Sequence, residues 1–256
     1  MSLGALIKRF ELAICPWKLC VDVGRDSTFT RGMPISPDDF GEVIRSKRFI
    51  NNADVEQVLE LYRRCATHVL SSQQAQDFTR LSITLEGAKT LGGSLSLCSG
   101  LMTLGLAETE LNDAKLHGVL AGLGSGVLPR LMSLELRNNS LSDEGLQTLA
   151  AALTRGVMAS LLKLDLECNQ IIDVRPLTKA ARDGACMRLL SLDMGSNHLS
   201  EHSLDEIVQL LALERPPVLK KLFLRGNDIS HAAATRLREA SSQRRMPLDE
   251  LDVGNM

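Results

Sequence analysis

The sequence predicts an α/β solenoid, in which short parallel strands line a concave face and helices cover the convex face behind an N-terminal helical cap. Three observations lead to this prediction. A leucine pattern returns at intervals of 28 to 30 residues, each copy reads as one strand and one helix, and the composition changes sharply before the copies begin. A single strand and helix cannot bury their apolar faces alone, so such units must stack.

The composition divides the chain of 256 residues into differently built regions. It contains 46 leucines, of which only four lie in residues 1–50 and 39 lie from Leu81 onward. Seven of the eight aromatic residues precede residue 79, and Phe223 is the remaining one. We therefore predict an N-terminal extension with short helices over 1–50, a helical cap over 51–77 and a repeat array over 78–256.

The N-terminal region is predicted to be helical and to pack on the array. Apolar residues between Ala53 and Leu70 recur at helical spacing, which indicates an amphipathic helix that caps the stack. Residues 2–14 can form a second short helix. For residues 1–20 we expect an arm docked on the array, and the alternatives are a docking helix or a mitochondrial transit peptide.

Residues 78–100 fit the repeat pattern less well than the residues that follow. Phe78, Leu81 and Ile83 are expected to open a shorter unit. The dipeptide Gly92-Gly93 and Gly100 are expected to mark its turns, because glycine commonly interrupts regular structure.

The repeats follow the pattern Leu-x-x-Leu-x-Leu-x-x-Asn-x-Leu. Alternating leucines predict a short strand with one buried face, and the Asn side chain can bond to backbone groups where the chain leaves the strand. A helix follows, with Ser142 as a predicted cap and Pro176 in a first turn. Copies begin at Leu101 (with Thr109 at the Asn position), Leu131, Leu161, Leu189, Leu219 and Leu248, the last one truncated.

Residues 134–153 resemble a repeat of the ribonuclease-inhibitor-like leucine-rich-repeat family, and the resemblance extends over about residues 78–256. That family includes cytosolic inhibitors, the GTPase activator of Ran, innate sensors, and ciliary and cytoskeletal scaffolds. The resemblance implies a curved leucine-rich-repeat solenoid of about six to seven repeats. It says little about function, since this fold serves many partners.

The sequence shows no pattern typical of catalysis. We therefore expect that the protein is not an enzyme and that it binds no cofactor and no metal. His198 and His202 straddle a bend and need not share a face, and Gly122–Gly126 is predicted to be a turn between repeats. The six cysteines form no Cys-x-x-Cys pair and no signal peptide is evident, which favours reduced intracellular thiols. No stretch has the length of a membrane span.

Nucleic-acid binding is not expected. The formal net charge is −2, which creates no strong overall field. The basic cluster of Arg236, Arg238, Arg244 and Arg245 has no aromatic residue for base stacking, so we interpret it as a solvated convex face.

The predicted concave face carries an acidic column interrupted by one aromatic residue. Like charges on neighbouring strands repel, and exposed aromatic residues are favoured as interface anchors. We therefore expect this face to bind a basic, partly apolar segment of a protein partner. The middle column consists of Gly105, Glu135, Asp165, Asp193, Phe223 and Asp252, and the next column contributes Arg137, Glu167 and Arg225.

The final copy lacks a following helix. Its strand, around Leu251 and Val253, is therefore expected to present an open edge and uncovered core, which another chain covers in the functional state.

These observations predict a non-catalytic protein–protein interaction module, a scaffold or adaptor subunit of a larger intracellular assembly, such as a cytoskeletal or ciliary one. The alternatives are a GTPase-activating or regulatory protein of the Ran-activator type and a ribonucleoprotein or mitochondrial assembly factor. The expected location is cytoplasmic or cytoskeletal, with a mitochondrial location as the alternative.

Overall fold

A computed structural model of the protein describes residues 74–254. The predicted N-terminal extension and most of the predicted cap lie outside this range. In the described range no helix is long and apolar enough to cross a membrane.

Short strands and helices alternate regularly through residues 74–254. The strands are β1 (Ala75–Asp77), β2 (Thr103–Gly105), β3 (Ser133–Glu135), β4 (Lys163–Asp165), β5 (Ser191–Asp193), β6 (Lys221–Phe223) and β7 (Glu250–Asp252). The helices are α1 (Leu85–Leu95), α2 (Asp113–Leu120), α3 (Asp143–Thr154), α4 (Arg175–Arg182), α5 (Glu201–Ala212) and α6 (His231–Ser242).

The strands form one parallel sheet whose spatial order follows the chain order. Each strand pairs with the equivalent residues of the next, as Leu134 does with Leu164 and Leu164 with Leu192. This is the predicted α/β leucine-rich-repeat solenoid. The first strand, β1, lies in the last residues of the range that the sequence assigned to the cap, and it pairs with β2 as part of the same sheet.

A continuous leucine core runs between the sheet and the helices. The central leucine of each strand from β2 to β6 is at most 7% exposed, because alternation along the strand directs it inward. The first residue of each repeat, such as Leu131 or Leu161, is also buried, except for Leu248 of the truncated repeat, which is partly buried. The leucine repeat therefore fills the interior with small aliphatic contacts, as its period predicts.

The asparagines of the repeat join each unit to the one before it. Asn169 Nδ2 donates to Leu136 O of the preceding unit at 3.1 Å and to Leu166 O of its own unit at 3.0 Å. Its Oδ1 accepts the N–H of Leu141 at 3.1 Å. The same bonds to both units recur at Asn139, Asn197 and Asn227. The sequence predicted bonds to neighbouring backbone, and the structure shows that they also connect successive repeats.

The first residues of the helices have the capping interactions and the proline position that the sequence predicts. Ser142 accepts the N–H of Glu144 at the start of α3, and Ser200 accepts that of Ser203 at the start of α5. Pro176 lies in the first turn of α4, where no intrahelical N–H bond is required. The segment Gly122–Gly126 forms the predicted turn region after α2.

The prediction that Gly92 and Gly93 mark a turn is wrong, because both lie inside α1. Gly92 is buried against α2, where an added Cβ would meet Val119 O at 2.6 Å and Gly118 O at 2.9 Å. Gly93 is exposed on the same helix. Gly92 therefore permits a close approach of two helices, a role that depends on the neighbouring unit and is not visible in the local sequence.

Alanine at these two adjacent positions is expected to have opposite effects on stability. Gly93→Ala should raise the free energy of unfolding by about 0.5–1 kcal/mol, because alanine restricts the unfolded chain and favours helix. Gly92→Ala has the same gain in helix propensity, but its Cβ pushes α1 away from the backbone of α2. This overpacking should lower the free energy of unfolding by about 1 kcal/mol in total. Urea unfolding of both variants checks the prediction, which fails if the two changes have the same sign.

Candidate functional site

The predicted columns of the concave face are observed as neighbouring residues on paired strands. Glu135 pairs with Asp165, Asp165 with Asp193, Asp193 with Phe223, and Phe223 with Asp252. Asp77 extends the same column beyond Gly105. Asp77 is absent from the predicted column because the segment before Phe78 lacks the leucines that mark the other strands.

Four aspartates of this column share a local structural role that the repeat pattern alone does not reveal. In each, Oδ1 accepts the N–H of the residue two positions later, where the chain leaves the strand. The bonds are Asp77 to Thr79 at 2.9 Å, Asp165 to Glu167 at 3.2 Å, Asp193 to Gly195 at 2.9 Å and Asp252 to Gly254 at 2.9 Å. Strand-end geometry therefore accounts for part of the acidic column, and the second carboxylate oxygen is not engaged in this bond.

Three carboxylates converge at the centre of the face. Asp165, Glu167 and Asp193 each present an oxygen atom within 4.8 Å of the other two. Asp165 is only 7% exposed, whereas Glu167 and Asp193 are partly exposed. We call these three residues the acidic cluster. Adjacent parallel strands bring them together, so their proximity follows from the register of β4 and β5.

Burial makes ionisation of two cluster residues, Asp165 and Asp193, unfavourable. Desolvation raises the pKa of Asp165 above its ordinary value, and it is the largest influence there. Desolvation also raises the pKa of Asp193, with further contributions from the charges of Asp165 and Glu167. The pKa of Asp77 is instead lowered, first by the hydroxyl and then by the backbone N–H of Thr79. The two aspartates at the centre of the array therefore differ electrostatically from Asp77 in the same column.

Basic side chains of the protein itself partly balance the cluster. Arg225 Nη2 lies 2.8 Å from Glu167 Oε1, and this contact raises the pKa of Arg225. Its side chain passes over Gly195, where a Cβ would meet Arg225 Cγ at 3.3 Å. Lys163 Nζ lies 3.6 Å from Glu135 and 3.9 Å from Asp165. The face therefore already binds cationic groups at these carboxylates.

Phe223 lies next to Asp193 on the neighbouring strand and is partly exposed. It is not part of the leucine core, because its position alternates with the buried Leu222 and Leu224. The described part of the concave face thus places one aromatic ring between the acidic cluster and Asp252.

Arg137 is close enough to lower the pKa of Asp165, although other influences on that pKa are larger.

The cluster has the donor atoms that a hard cation uses, since carboxylate oxygens within 4.8 Å of one another can share one ion. The guanidinium of Arg225 already contacts Glu167. Acidic groups commonly lie together without a metal, so the geometry alone does not assign one.

At the C-terminal end of the array, β7 pairs with β6. Leu251 is partly exposed and packs against the core. Val253 is only 8% exposed, so its side chain is not left uncovered as expected: it turns inward and joins the core. The expectation that another chain covers this end stays a prediction.

The interpretation of the late arginines as a solvated face needs one clear correction. Arg244 is only 5% exposed, and its guanidinium donates to Leu211 O, Pro216 O and Met246 O. Arg236 forms ion pairs with Glu201 and Asp205, whereas Arg238 and Arg245 are exposed. The physical reason is stacking, which places Arg244 against one carbonyl at the end of α5 and another in the connection after it. His198 and His202 are both exposed.

Replacing Asp165 or Asp193 with asparagine is expected to stabilise the protein near neutral pH. Asp165→Asn and Asp193→Asn keep the acceptor for the N–H two residues later and remove the unfavourable charge. Because the pKa of each aspartate is raised in the folded protein, its ionised form lowers the free energy of unfolding. This destabilisation is fully present above the folded pKa and disappears as pH falls toward the ordinary value of 3.8. Thermal unfolding from pH 7 to pH 4 should therefore show a shrinking advantage for both variants. A stability loss at pH 7 would contradict this reasoning.

Comparisons with known proteins agree with the repeat architecture. Residues 128–150 match the family model of the leucine-rich repeat. No curated protein sequence matches this chain. The sheet positions described above extend the same repeat on both sides of the matched segment.

Two solved structures illustrate what the chain is similar to. One is an internalin from Listeria monocytogenes, with a TM-score of 0.46 and 19% identity, covering 74% of this chain and 51% of the internalin chain. The other is actin-binding site 2 of leiomodin-1, with a TM-score of 0.41 and 16% identity, covering 71% of this chain and 86% of that one. This chain spans about half the length of the internalin chain that it matches.

Proposed function

We propose that this leucine-rich-repeat array is a non-catalytic interaction module that binds a basic, partly apolar segment of a protein partner through its concave face. The carrying observation is the acidic cluster, whose carboxylates converge within 4.8 Å although burial makes the charge of two of them unfavourable. A negative charge that lowers stability, where a neutral acceptor could form the same backbone bond, is typical of a functional site. We also propose the ribonuclease-inhibitor-like subtype, which the helices of 8 to 12 residues support.

A basic partner fits the electrostatics of this face. The local bonds of Asp165 and Asp193 need only a neutral acceptor, so they do not require a negative charge. A lysine or arginine from a partner would supply the missing positive charge to Asp165 and Asp193. Bonds between arginine and carboxylate are strong and directional, which favours recognition of a defined segment.

Phe223 supports the apolar part of the proposal. Its ring borders the acidic cluster through the pairing with Asp193 and is partly open to solvent. An aromatic ring surrounded by charged residues is a typical anchor of protein interfaces, because it buries area at low entropic cost. The partner segment is therefore expected to combine basic residues with at least one apolar residue.

At the level of the cell, we propose a scaffold or adaptor subunit of an intracellular assembly, cytoplasmic or cytoskeletal. The GTPase-regulator alternative rests on fold resemblance, and no described residue adds to it. The RNA-associated alternative depended on the late arginines, of which Arg244 is buried and Arg236 is ion-paired.

The test uses a pool of synthetic peptides that contain Lys, Arg, Leu and Phe in random order. We expect members of this pool to bind the full chain, and Phe223→Ala or Asp193→Lys should weaken that binding at least about tenfold. Asp228→Lys is the matched control, because Asp228 is an exposed aspartate on the loop after β6 and does not belong to the acidic column or the cluster. Unchanged affinity in both concave-face variants would overturn the proposal, as would an equal loss in the control.

A further inference from the structure

Exposed apolar side chains gather at one edge of the array. Among the described residues, Met187, Leu213 and Met246 are 36%, 59% and 52% exposed. They lie in three consecutive connections that lead from a helix to the next strand, after α4, α5 and α6. We call these three residues the loop-edge patch. Leu85 and Ile172 are also exposed, but each lies by itself in another part of the array.

Hydrogen bonds show that the three connections are neighbours. Arg215, two residues after Leu213, donates from Nη1 to Met187 Sδ at 3.3 Å. The backbone N–H of Arg245 donates to Glu214 Oε1 at 3.0 Å, which places Met246 beside the connection that carries Leu213. The patch is therefore one surface built by adjacent repeats.

Two arginines beside the patch, Arg188 and Arg215, have no carboxylate partner among the described residues. Within residues 74–254, neither Arg188 nor Arg215 lies within ion-pair distance of a carboxylate, and Arg188 is exposed. Arg245 is exposed as well, and its Nε is 3.9 Å from Glu214. Glu214 and Asp183 lower the net positive charge of these connections. Because neither acid forms an ion pair with Arg188 or Arg215, these two cations remain available to bind an acidic partner.

We infer that the loop-edge patch docks an acidic segment of another protein that also carries aliphatic or aromatic side chains. Methionine is flexible and polarisable, so it adapts to varied apolar partners. The guanidinium groups of Arg188 and Arg215 match carboxylates in geometry and charge. This surface and the concave face share no residue, and their charge requirements are opposite. The inference is therefore independent of the proposed concave-face function.

The test uses a pool of synthetic peptides that contain Glu, Asp, Leu and Phe in random order, with a matched pool in which Lys and Arg replace the acids. Acidic members should bind the full chain labelled with ¹³C at its methionine methyl groups, and the signals of Met187 and Met246 should shift. Raising the salt concentration should weaken binding.

Combining Arg188→Glu with Leu213→Ser should weaken acidic-peptide binding at least about tenfold. The matched control combines Arg238→Glu with Leu85→Ser, which alters an exposed arginine and an exposed leucine elsewhere, and it should bind within about twofold of the native chain. Phe223→Ala should also leave this binding unchanged, which separates the result from the concave-face proposal. Thermal unfolding confirms that each variant is folded.

Several outcomes would overturn the inference. They are absence of binding in the acidic pool, equally tight binding of the basic pool at the methionine signals, and an undiminished affinity of the edge variant. Binding only to vesicles of phosphatidylserine and phosphatidylcholine would assign the patch to a membrane surface instead. Self-association that Leu213→Ser abolishes, seen by ultracentrifugation without peptide, would assign it to a second copy of this chain.

Discussion

Asn169→Ala is expected to lower the free energy of unfolding by about 3 kcal/mol, because it removes a buried side chain whose bonds lie within and between two repeats. Asn169 is only 5% exposed. Its loss leaves the N–H of Leu141 without its acceptor and the carbonyls of Leu136 and Leu166 without a shared donor. In an array of this size, the melting temperature should fall by roughly 10 °C.

Hydrogen exchange should show where Asn169→Ala acts. Because repeats interact mainly with their neighbours, protection should fall most in β3 and β4, on the two sides of the lost bonds. Gln170→Ala is the control, since Gln170 is the exposed next residue, and it should change stability by less than about 0.5 kcal/mol. A loss below about 1 kcal/mol for Asn169→Ala would show that water replaces these bonds.

Arg244→Ala is expected to lower the free energy of unfolding by about 2 kcal/mol, since bonds from a charged donor are stronger than neutral ones. The guanidinium joins Leu211 O and Pro216 O of the preceding unit to Met246 O of its own connection. The gain from these bonds is partly offset by burial of the charge, which lowers the pKa of Arg244. Urea unfolding measures the net effect.

Arg245→Ala is a closely matched control, because the side chain of Arg245 is 90% exposed. It should change stability by less than about 0.5 kcal/mol. In Arg244→Ala, limited proteolysis should cut first in the connection between α6 and β7, since the lost bonds hold that connection to the previous unit. Equal stability losses in the two variants would show that burial of Arg244 contributes nothing.

Part of the candidate site was predictable because it follows from alternation along a strand. The spacing of Leu134, Leu164 and Leu192 places Glu135, Asp165 and Asp193 on the opposite face, in register on neighbouring strands. The outward position of Phe223 follows from the same alternation.

The interactions that make this face electrostatically unusual were not predictable. Arg225 follows β6 and Glu167 follows β4, and Arg225 reaches Glu167 across the intervening unit because Gly195 leaves space there. The bonds from Asp165 and Asp193 to backbone N–H groups depend on how the chain turns away from the strand. The alignment of the repeats in the sequence shows which residues lie on neighbouring strands, but it does not show which atoms form hydrogen bonds or ion pairs.

The sequence by itself determined the repeat period, the strand and helix of each unit, the leucine core and the alignment of the concave columns. These features depend on periodicity, because the same residues recur at intervals that match the geometry of strands and helices. The tertiary structure decided the roles of Gly92 and Arg244, the convergence of the acidic cluster and the contiguity of the loop-edge patch. Each of these depends on the distance between side chains of different repeats, which only the stacking of the units sets.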